Sequence, residues 1–222
     1  MKNNNNIGCN KSCSKKVDFE YHQKKWRKLI DDGSVLSILL TGVGGQGILL
    51  TSKVLSDAAM LEGLDVKVSE VHGMAQRGGS VVGGVRMGKR VYSPVAGKAD
   101  FIMSLEKLEA LRYINKLKED GFIILSDVEI YPISVYYGDT SYPEDINSEV
   151  ESITFNYIVV EAVEIAKRLN EARAANIVLL GCLSNFIPIS YKCWIESIKK
   201  NVPHNAIDVN LKAFEEGKRI IN

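Results

Sequence analysis

Residues 38–50 read Ile-Leu-Leu-Thr-Gly-Val-Gly-Gly-Gln-Gly-Ile-Leu-Leu, an aliphatic run that leads into a glycine-rich turn and a second apolar segment. An uninterrupted aliphatic run is typical of a strand that is buried on both faces of a parallel sheet. Gly42, Gly44 and Gly47 have the spacing Gly-x-Gly-x-x-Gly, which lets backbone N–H groups approach an anion at the start of a helix. The stretch therefore predicts a strand, a sharp turn and a helix that begins at about Gln46.

The bulk composition narrows the class of protein. The chain has 222 residues and a formal net charge of +1, and 45% of its residues are hydrophobic. These values predict one large α/β domain with a sizeable core. The balanced charge gives no reason to expect binding to nucleic acid or to a membrane. No apolar run reaches the roughly 18–20 residues that are needed to span a bilayer. Because the N-terminus also lacks the apolar segment of a secretory signal, we expect a cytoplasmic protein without a membrane anchor.

Residues 1–36 differ in character from the rest of the chain. They carry eight basic and four acidic residues, a formal charge of +4, and the first sixteen are almost entirely polar. We therefore expect a basic, partly disordered N-terminal extension ahead of a domain at residues 37–222. Residues 17–30 have the pattern of a short helix. Trp26 on this helix leaves two interpretations open, which are docking on a partner and packing on its own domain.

The remaining pattern alternates between strands and helices. It predicts a three-layer α/β/α fold with a Rossmann-like, mostly parallel sheet, a β-hairpin insertion and a helical C-terminal third. The predicted strands are 65–71, the hairpin of 81–85 with 90–92, then 99–104 and 122–125, followed by an irregular loop at 129–143 that has room for an edge strand. The predicted helices are 48–61, 106–117, 155–169, 174–183, 191–200 and 205–217.

A second glycine-rich stretch follows the second predicted strand. Residues 70–80 read Glu-Val-His-Gly-Met-Ala-Gln-Arg-Gly-Gly-Ser, which is too rich in glycine for a helix. It leaves the carboxyl end of a strand, the edge at which ligands bind in open α/β sheets. His72 has an ordinary pKa near neutrality and is suited to general acid–base catalysis. Arg77 is suited to binding a carboxylate or a phosphate. Both residues also fit a structural role in the loop or at an interface.

Taken alone, the glycine spacing leaves two interpretations open. One is a domain for NAD or FAD, with Glu70 on the ribose hydroxyls, and the other is a tight turn without a ligand. A P-loop is excluded because no Gly-Lys-Ser/Thr occurs. The chain also lacks the Gly-Asp-Gly and Asn-Asn signature of thiamine diphosphate enzymes, and Cys9 and Cys13 have neither zinc nor iron–sulfur spacing. These absences are typical of a subunit that relies on a partner for its redox centre.

The two glycine-rich stretches together resemble the gamma-type domain of 2-oxoacid:ferredoxin oxidoreductases. The form His-Gly-Met-Ala-Gln-Arg-Gly-Gly at residues 72–79 is most similar to the beta subunit of the indolepyruvate type. Further matches are Tyr92-Ser-Pro94, Glu106-Lys-Leu-Glu-Ala-Leu-Arg112, Asn176-Ile-Val-Leu-Leu-Gly181 and Asn210-Leu-Lys-Ala-Phe-Glu-Glu-Gly217. The resemblance runs from about residue 37 to residue 219 and does not include the N-terminal extension, called the leader below.

This resemblance implies a subunit of a thiamine diphosphate-dependent enzyme that oxidatively decarboxylates a 2-oxoacid, either indolepyruvate or another arylpyruvate. The 2-oxoacid and coenzyme A, the co-substrate, give an acyl-CoA and carbon dioxide, and electrons pass through iron–sulfur clusters to ferredoxin. Thiamine diphosphate, magnesium and the [4Fe-4S] clusters then belong to a partner alpha subunit, and this chain holds no cofactor by itself. The motifs that are missing from the chain agree with that division.

The resemblance also assigns the candidate site residues. Both loops are expected to face the partner and the cleft for thiamine diphosphate and coenzyme A. His72 and Arg77 are the candidate catalytic residues, and the candidates for cofactor contact are Gly42, Gly44, Gly45, Gln46, Gly47 and Gln76. The alternative is a stand-alone dinucleotide-binding reductase or regulatory domain. The +4 leader departs from the family pattern and is a candidate for binding an acidic protein such as ferredoxin.

Overall fold

The computed structural model describes residues 19–72, 79–132, 135, 137–138 and 141–220. The strands of this part are β1 (Leu36–Val43), β2 (Asp65–His72), β3 (Ser80–Gly88), β4 (Ala99–Ser104), β5 (Leu117–Ser126) and β6 (Tyr157–Val160). Its α-helices are α1 (Phe19–Asp31), α2 (Ile48–Leu61), α3 (Lys107–Tyr113), α4 (Ile146–Ile153), α5 (Ala162–Arg168), α6 (Ala175–Leu183), α7 (Tyr191–Asn201) and α8 (Ile207–Arg219). The strands form one sheet in the order β2-β3-β1-β4-β5-β6.

Strand β1 lies inside the sheet and is buried along almost its whole length, as its aliphatic sequence predicts. Its register places Leu40 beside Met103 of the parallel strand β4 and beside Gly83 of the antiparallel strand β3. Strands β5 and β6 continue the parallel arrangement. Only β3 runs against its neighbours among the described strands. The predicted α/β class with a mostly parallel sheet is therefore confirmed.

An apolar cluster packs on each face of the sheet. Leu40 belongs to the cluster that includes Leu55 of α2 and the C-terminal helices. Its neighbour Leu39 packs against the cluster that includes Ala110 of α3. The helices that follow β1 and β4 therefore lie on opposite faces, which confirms the three layers. Such a divergence creates a topological switch point between two strands, and open α/β sheets bind ligands at its carboxyl end.

Helices α6 and α8 approach each other closely because two glycines meet at their crossing. A β-carbon added at Gly181 would collide with the carbonyl oxygen of Phe214, and one added at Gly217 would collide with the carbonyl oxygen of Val178. Trp194 of α7 closes the same region, with its ring centroid 5.5 Å from that of Phe214. The predicted helical C-terminal third is thus confirmed as a tightly packed support behind α2.

Helix α1 packs on the domain. The side chain of Trp26 is 7% exposed, and its ring centroid lies 5.9 Å from that of Phe101 on β4. Ile30 joins the same buried cluster. At the rim, Lys25 Nζ lies 2.8 Å from Asp120 Oδ2. Of the two interpretations of Trp26, packing on its own domain is confirmed.

The predicted β-hairpin of 81–85 with 90–92 is wrong. Strand β3 does not turn back on itself but pairs with β2 on one side and β1 on the other. Residues 90–92 are not in a strand. The side chain of Asp65 anchors this segment instead, because its Oδ2 accepts from the backbone N–H of Val91 at 2.7 Å.

The predicted single helix at 155–169 is also wrong at its start. Residues Tyr157–Val160 are the buried edge strand β6, and helix α5 begins only at Ala162. The periodicity of a short apolar run does not distinguish a strand from a helix. Here the run pairs with the edge of β5 as a parallel strand. The predicted helix at 106–117 ends early for a similar reason, because β5 already begins at Leu117.

The first prediction concerns the contribution of α1. Trp26→Ala removes the ring that fills the space between α1 and Phe101, and we expect it to lower the free energy of unfolding by about 3 kcal/mol. Lys28→Ala, on the exposed side of the same helix, is the control and should change it by no more than about 0.5 kcal/mol. Denaturant unfolding of the full chain measures both, and equal stabilities would show that α1 is not part of the core.

Candidate functional site

The glycine-rich turn joins the carboxyl end of β1 to the start of α2. Gly45 and Gly47 have φ angles of 105° and 86°, a left-handed region that residues with a β-carbon avoid. Gly47 is the N-cap residue of α2, and the helix occupies Ile48–Leu61, the range that the sequence predicts. These two glycines allow the chain to reverse from strand to helix within a few residues.

The side chain of Gln46 holds the turn together from within. Its Oε1 accepts from the backbone N–H of Val43 at 2.7 Å, and its Nε2 donates to the carbonyl of Leu105 at 2.8 Å. Leu105 directly follows β4, so one amide bridges the ends of the two strands at the switch point. Gln46 was predicted as a cofactor contact, and in the described structure its amide connects protein groups.

Asn176 braces the turn from the opposite side. This side chain is 2% exposed. Its Nδ2 donates to the carbonyl of Gly47 at 3.3 Å, and its Oδ1 accepts from the backbone N–H of Ile177 at 2.9 Å. Asn176 was quoted for the family resemblance but was missed as a site residue. The signal was there, since Asn176 is a polar residue at the head of the otherwise apolar stretch Ile177–Leu183.

The second glycine-rich stretch returns to the same place. The backbone N–H of Gly44 donates to the carbonyl of Gly79 at 2.9 Å, and Ser80 Oγ donates to Glu109 Oε2 of α3 at 2.5 Å. The carboxyl end of the stretch is thus fixed between the glycine turn and α3. The side chain of His72, and all of Gln76 and Arg77, lie outside the described residues, so their predicted roles stay predictions.

Two buried carboxylates, Glu109 of α3 and the N-cap residue Glu106, complete this region, and sequence analysis missed both as site residues. Glu109 is 2% exposed and pairs with Arg112 Nη1 at 2.6 Å. Burial raises the pKa of Glu109, and the hydrogen bond from Ser80 opposes that rise. Glu106 is 1% exposed and accepts from Glu109 N and from the Tyr142 hydroxyl at 2.8 and 2.9 Å. Burial, and then the bond to Glu106, raises the pKa of Tyr142.

The turn is followed by backbone N–H groups, at the start of α2, that can bind a ligand. The N–H groups of the first helical turn have no acceptor within the helix itself, and the first turn of α2 contains no acidic side chain. The positive end of the helix dipole favours a negative group at this position. A cavity of about 430 Å³ opens beside the turn, where Gly45, Gly47, Ser126, Arg173 and Asn176 line it together with several aliphatic side chains. This arrangement can receive an anionic group at the switch point.

The dinucleotide interpretation required Glu70 beside the glycine turn, and that expectation is wrong. Strand β3 lies between β1 and β2, so two strand spacings, about 10 Å in total, separate Glu70 from β1. In the register of the sheet, Glu70 lies level with Gly83 and Leu40 rather than with the turn. The acid is therefore not in the position from which a Rossmann domain holds a ribose.

The described residues hold neither a metal-binding cluster nor a membrane-spanning helix. Within the described ranges, no three His, Cys, Asp or Glu side chains form a group that could hold a metal ion. No helix of those ranges is both long and apolar enough to cross a membrane. Cys182 is buried and Cys193 partly buried, whereas Cys9 and Cys13 lie outside the described residues.

The fold and the turn define an α/β protein whose ligand edge lies at the carboxyl end of its parallel strands. Residues 37–220 match the family model described as pyruvate ferredoxin/flavodoxin oxidoreductase, and the chain belongs to that family. It is accordingly a subunit of an oxidoreductase of the 2-oxoacid:ferredoxin class.

Within the family, the chain is similar to indolepyruvate oxidoreductase subunit IorB of Pyrococcus horikoshii. The two are 43% identical over 189 residues, which cover 82% of this chain and 93% of the relative. The identity to 2-oxoglutarate synthase subunit KorC of Methanothermobacter marburgensis is 27% over 188 residues, or 83% of this chain and 95% of that protein.

A solved structure with a similar fold is that of the gamma subunit of a keto/oxoacid ferredoxin oxidoreductase from Geobacter sulfurreducens. It matches with a TM-score of 0.65 and covers 85% of this chain and 97% of its own. The sequence identity is 23%, so this likeness concerns the fold alone.

A second prediction separates backbone strain from the bracing of the turn. Gly45, Gly47 and Gly63 all have left-handed φ angles, so alanine costs about 1–2 kcal/mol of folding free energy at each. Only at Gly47 would the new β-carbon meet a neighbour, Asn176 Nδ2, at 2.6 Å; at the other two it meets nothing within 4 Å. We expect Gly47→Ala to destabilise the protein by at least ~1 kcal/mol more than Gly63→Ala in denaturant unfolding. Equal losses would contradict the bracing role of Asn176.

A third prediction follows from the raised pKa of Glu109. The folded state holds this proton more tightly than the unfolded state, whose pKa is about 4.3. The contribution of Glu109 to stability is therefore greatest below that pH and declines as the pH rises through the folded pKa. The unfolding free energy of wild type minus that of Glu109→Gln should fall as the pH is raised from about 4 to about 7. A value that stays constant or rises over this range would refute the burial effect.

Proposed function

We propose that the chain is the cofactor-poor subunit of an indolepyruvate, or arylpyruvate, ferredoxin oxidoreductase of the cytoplasm. The reaction converts one 2-oxoacid, one coenzyme A and two oxidised ferredoxins to an acyl-CoA, carbon dioxide, two reduced ferredoxins and a proton. The partner alpha subunit carries thiamine diphosphate, magnesium and [4Fe-4S] clusters. Thiamine diphosphate supplies the electron sink that allows a 2-oxoacid to lose carbon dioxide.

The proposed preference for an aryl substrate rests on a difference in sequence identity between relatives that are named for different substrates. The chain is 43% identical to a subunit named for indolepyruvate and 27% identical to one named for 2-oxoglutarate. Both relatives are matched over nearly their whole length, so the difference is not an effect of coverage. The observation that carries the proposal is this identity together with the open α2 N-terminus at the switch point.

The role we propose for the site is to present backbone donors to an anionic group in the cleft shared with the partner. The first turn of α2 has no carboxylate of its own, and a diphosphate is the kind of group that such a helix end binds. A β-carbon added at Gly45 would meet nothing within 4 Å, so this side of the turn is open to a ligand, whereas one added at Gly42 would meet Gln46 Oε1 at 2.8 Å. The proposed cofactor contacts remain Gly42, Gly44, Gly45, Gln46, Gly47 and Gln76, with His72 and Arg77 as polar groups of the second stretch.

We also propose that residues 37–222 are the catalytic domain and that residues 1–36 are an accessory to it. The family match begins at residue 37, while α1 packs its apolar side on the domain. The outward face of α1 carries Lys24, Arg27 and Lys28. Together with the +4 charge of the leader, this face suits an acidic electron acceptor such as ferredoxin, by electrostatic steering.

The fourth prediction is a test of substrate and assembly. The tagged full chain is purified from its native cells, and whatever co-purifies is assayed for iron, thiamine diphosphate and coenzyme A-dependent reduction of ferredoxin. The substrates are indolepyruvate, pyruvate and 2-oxoglutarate at equal concentrations. We expect one iron-rich, thiamine-binding partner at equal stoichiometry and the largest kcat/KM with indolepyruvate.

Two results would count against the proposal. A chain that purifies alone with bound nicotinamide or flavin would support the dinucleotide alternative. A complex that reduces ferredoxin best with 2-oxoglutarate or pyruvate would keep the oxidoreductase class but refute the aryl preference.

A further inference from the structure

One half of the sheet is covered by a helix on one face only. Helix α2 packs against β2 and β3 on the first face, where Val81, Val85 and Met87 are buried. On the opposite face, Val82, Gly84 and Arg86 of β3 are only half-buried. The alternation along this strand therefore marks a second face that the described helices leave partly open.

A groove of about 270 Å³ lies on this face. Its floor is made of small and aliphatic residues from three adjacent strands, namely Leu39, Ser69, Val82 and Gly84. The segment 94–99 forms one wall, and Tyr113 at the end of α3 and Lys116 just after the helix form the other. The groove includes the beginnings of β1 and β4, so it extends away from the glycine turn at their carboxyl ends.

The side chain of Arg86 holds the wall formed by the 94–99 segment in place. Its Nη1 donates to the carbonyl oxygens of Ser93 and Val95 at 2.7 and 3.0 Å. Its Nε donates to Ser37 Oγ on β1 at 3.2 Å. The guanidinium thus ties the 93–95 segment to two strands. A groove held in this way loses little conformational freedom when it is filled, which favours binding.

The rim combines exposed apolar groups with positive charge. Val95 is 69% exposed, and Lys98 and Lys116, which also line the groove, are exposed. Within the described residues, no carboxylate pairs with Lys98, Lys116 or Arg86. An apolar centre with a cationic rim is suited to a partner surface that has an apolar centre and an acidic rim.

We propose that this groove docks an acidic, apolar-centred segment of the thiamine diphosphate-binding subunit. A second copy of this chain fits less well. A two-fold pairing through one surface brings that surface against itself. Lys98, Lys116 and Arg86 would then face their own equivalents, and like charges across an interface cost several kcal/mol. The identity of the occupant rests on the proposed function, whereas the groove and its charge do not.

The fifth prediction compares two triple variants with equal changes of charge. Val95→Glu, Lys98→Glu and Lys116→Glu together alter the rim of the groove. The control carries Met60→Glu, Lys192→Glu and Lys212→Glu, at exposed positions of α2, α7 and α8. Sedimentation velocity measures the Kd of each full chain for the partner subunit identified by co-purification. We expect the groove variant to bind at least ~10-fold more weakly and the control to bind within about 2-fold of wild type.

The double variant Lys98→Glu with Lys116→Glu serves if the triple variant unfolds, and it should also weaken binding. Wild-type affinity should fall as salt rises, because the rim contributes charge. An unchanged Kd for the groove variants would overturn the inference, as would a wild-type homodimer that these substitutions separate. If wild type binds no thiamine-dependent partner at all, the proposed function itself fails, and that outcome is visible before any variant is made.

Discussion

The structure depends on one backbone constraint, the reversal from β1 into α2 through two left-handed glycines. Gly45 and Gly47 adopt φ angles of 105° and 86°, and no residue with a β-carbon takes them without strain. This reversal brings the amino end of α2 to the carboxyl edge of the sheet, at the switch point between β1 and β4. The electrostatic character of the site, a positive helix end without a competing carboxylate, follows from that placement.

Bonds from distant segments keep the turn in this shape. Gln46 bridges the ends of β1 and β4, Asn176 holds Gly47 from α6, and Gly79 accepts from Gly44. A buried hydrogen bond adds about 0.5–1.5 kcal/mol to stability, but a buried polar group left unpaired costs more. The network therefore favours a single geometry for the turn. A preorganised set of backbone donors binds an anion without a cost of reorganisation, which is what a cleft for phosphorylated cofactors needs.

Much of the fold could be predicted because its signals are local. The aliphatic run before the glycine turn, the period of α2 and the helical C-terminal third each follow from neighbouring residues. The insertion of β3 between β1 and β2 could not be predicted, because strand order depends on pairing between distant segments. The same limit applies to β6, a run of only four residues, and to Glu109. Glu109 is buried in contact with residues that are distant in sequence, such as Ser80, whereas the pattern of its own helix marks it only as a charged position.

The central claim is that the backbone N–H groups of the glycine turn and the first turn of α2 bind an anionic cofactor group at the interface with the partner. A structure of the assembled complex with coenzyme A bound tests this claim most directly. The account predicts a phosphate oxygen of thiamine diphosphate or coenzyme A at about 2.7–3.2 Å from at least one of these nitrogens. A complex in which both cofactors lie elsewhere, with the turn in solvent or against apolar protein, would contradict it.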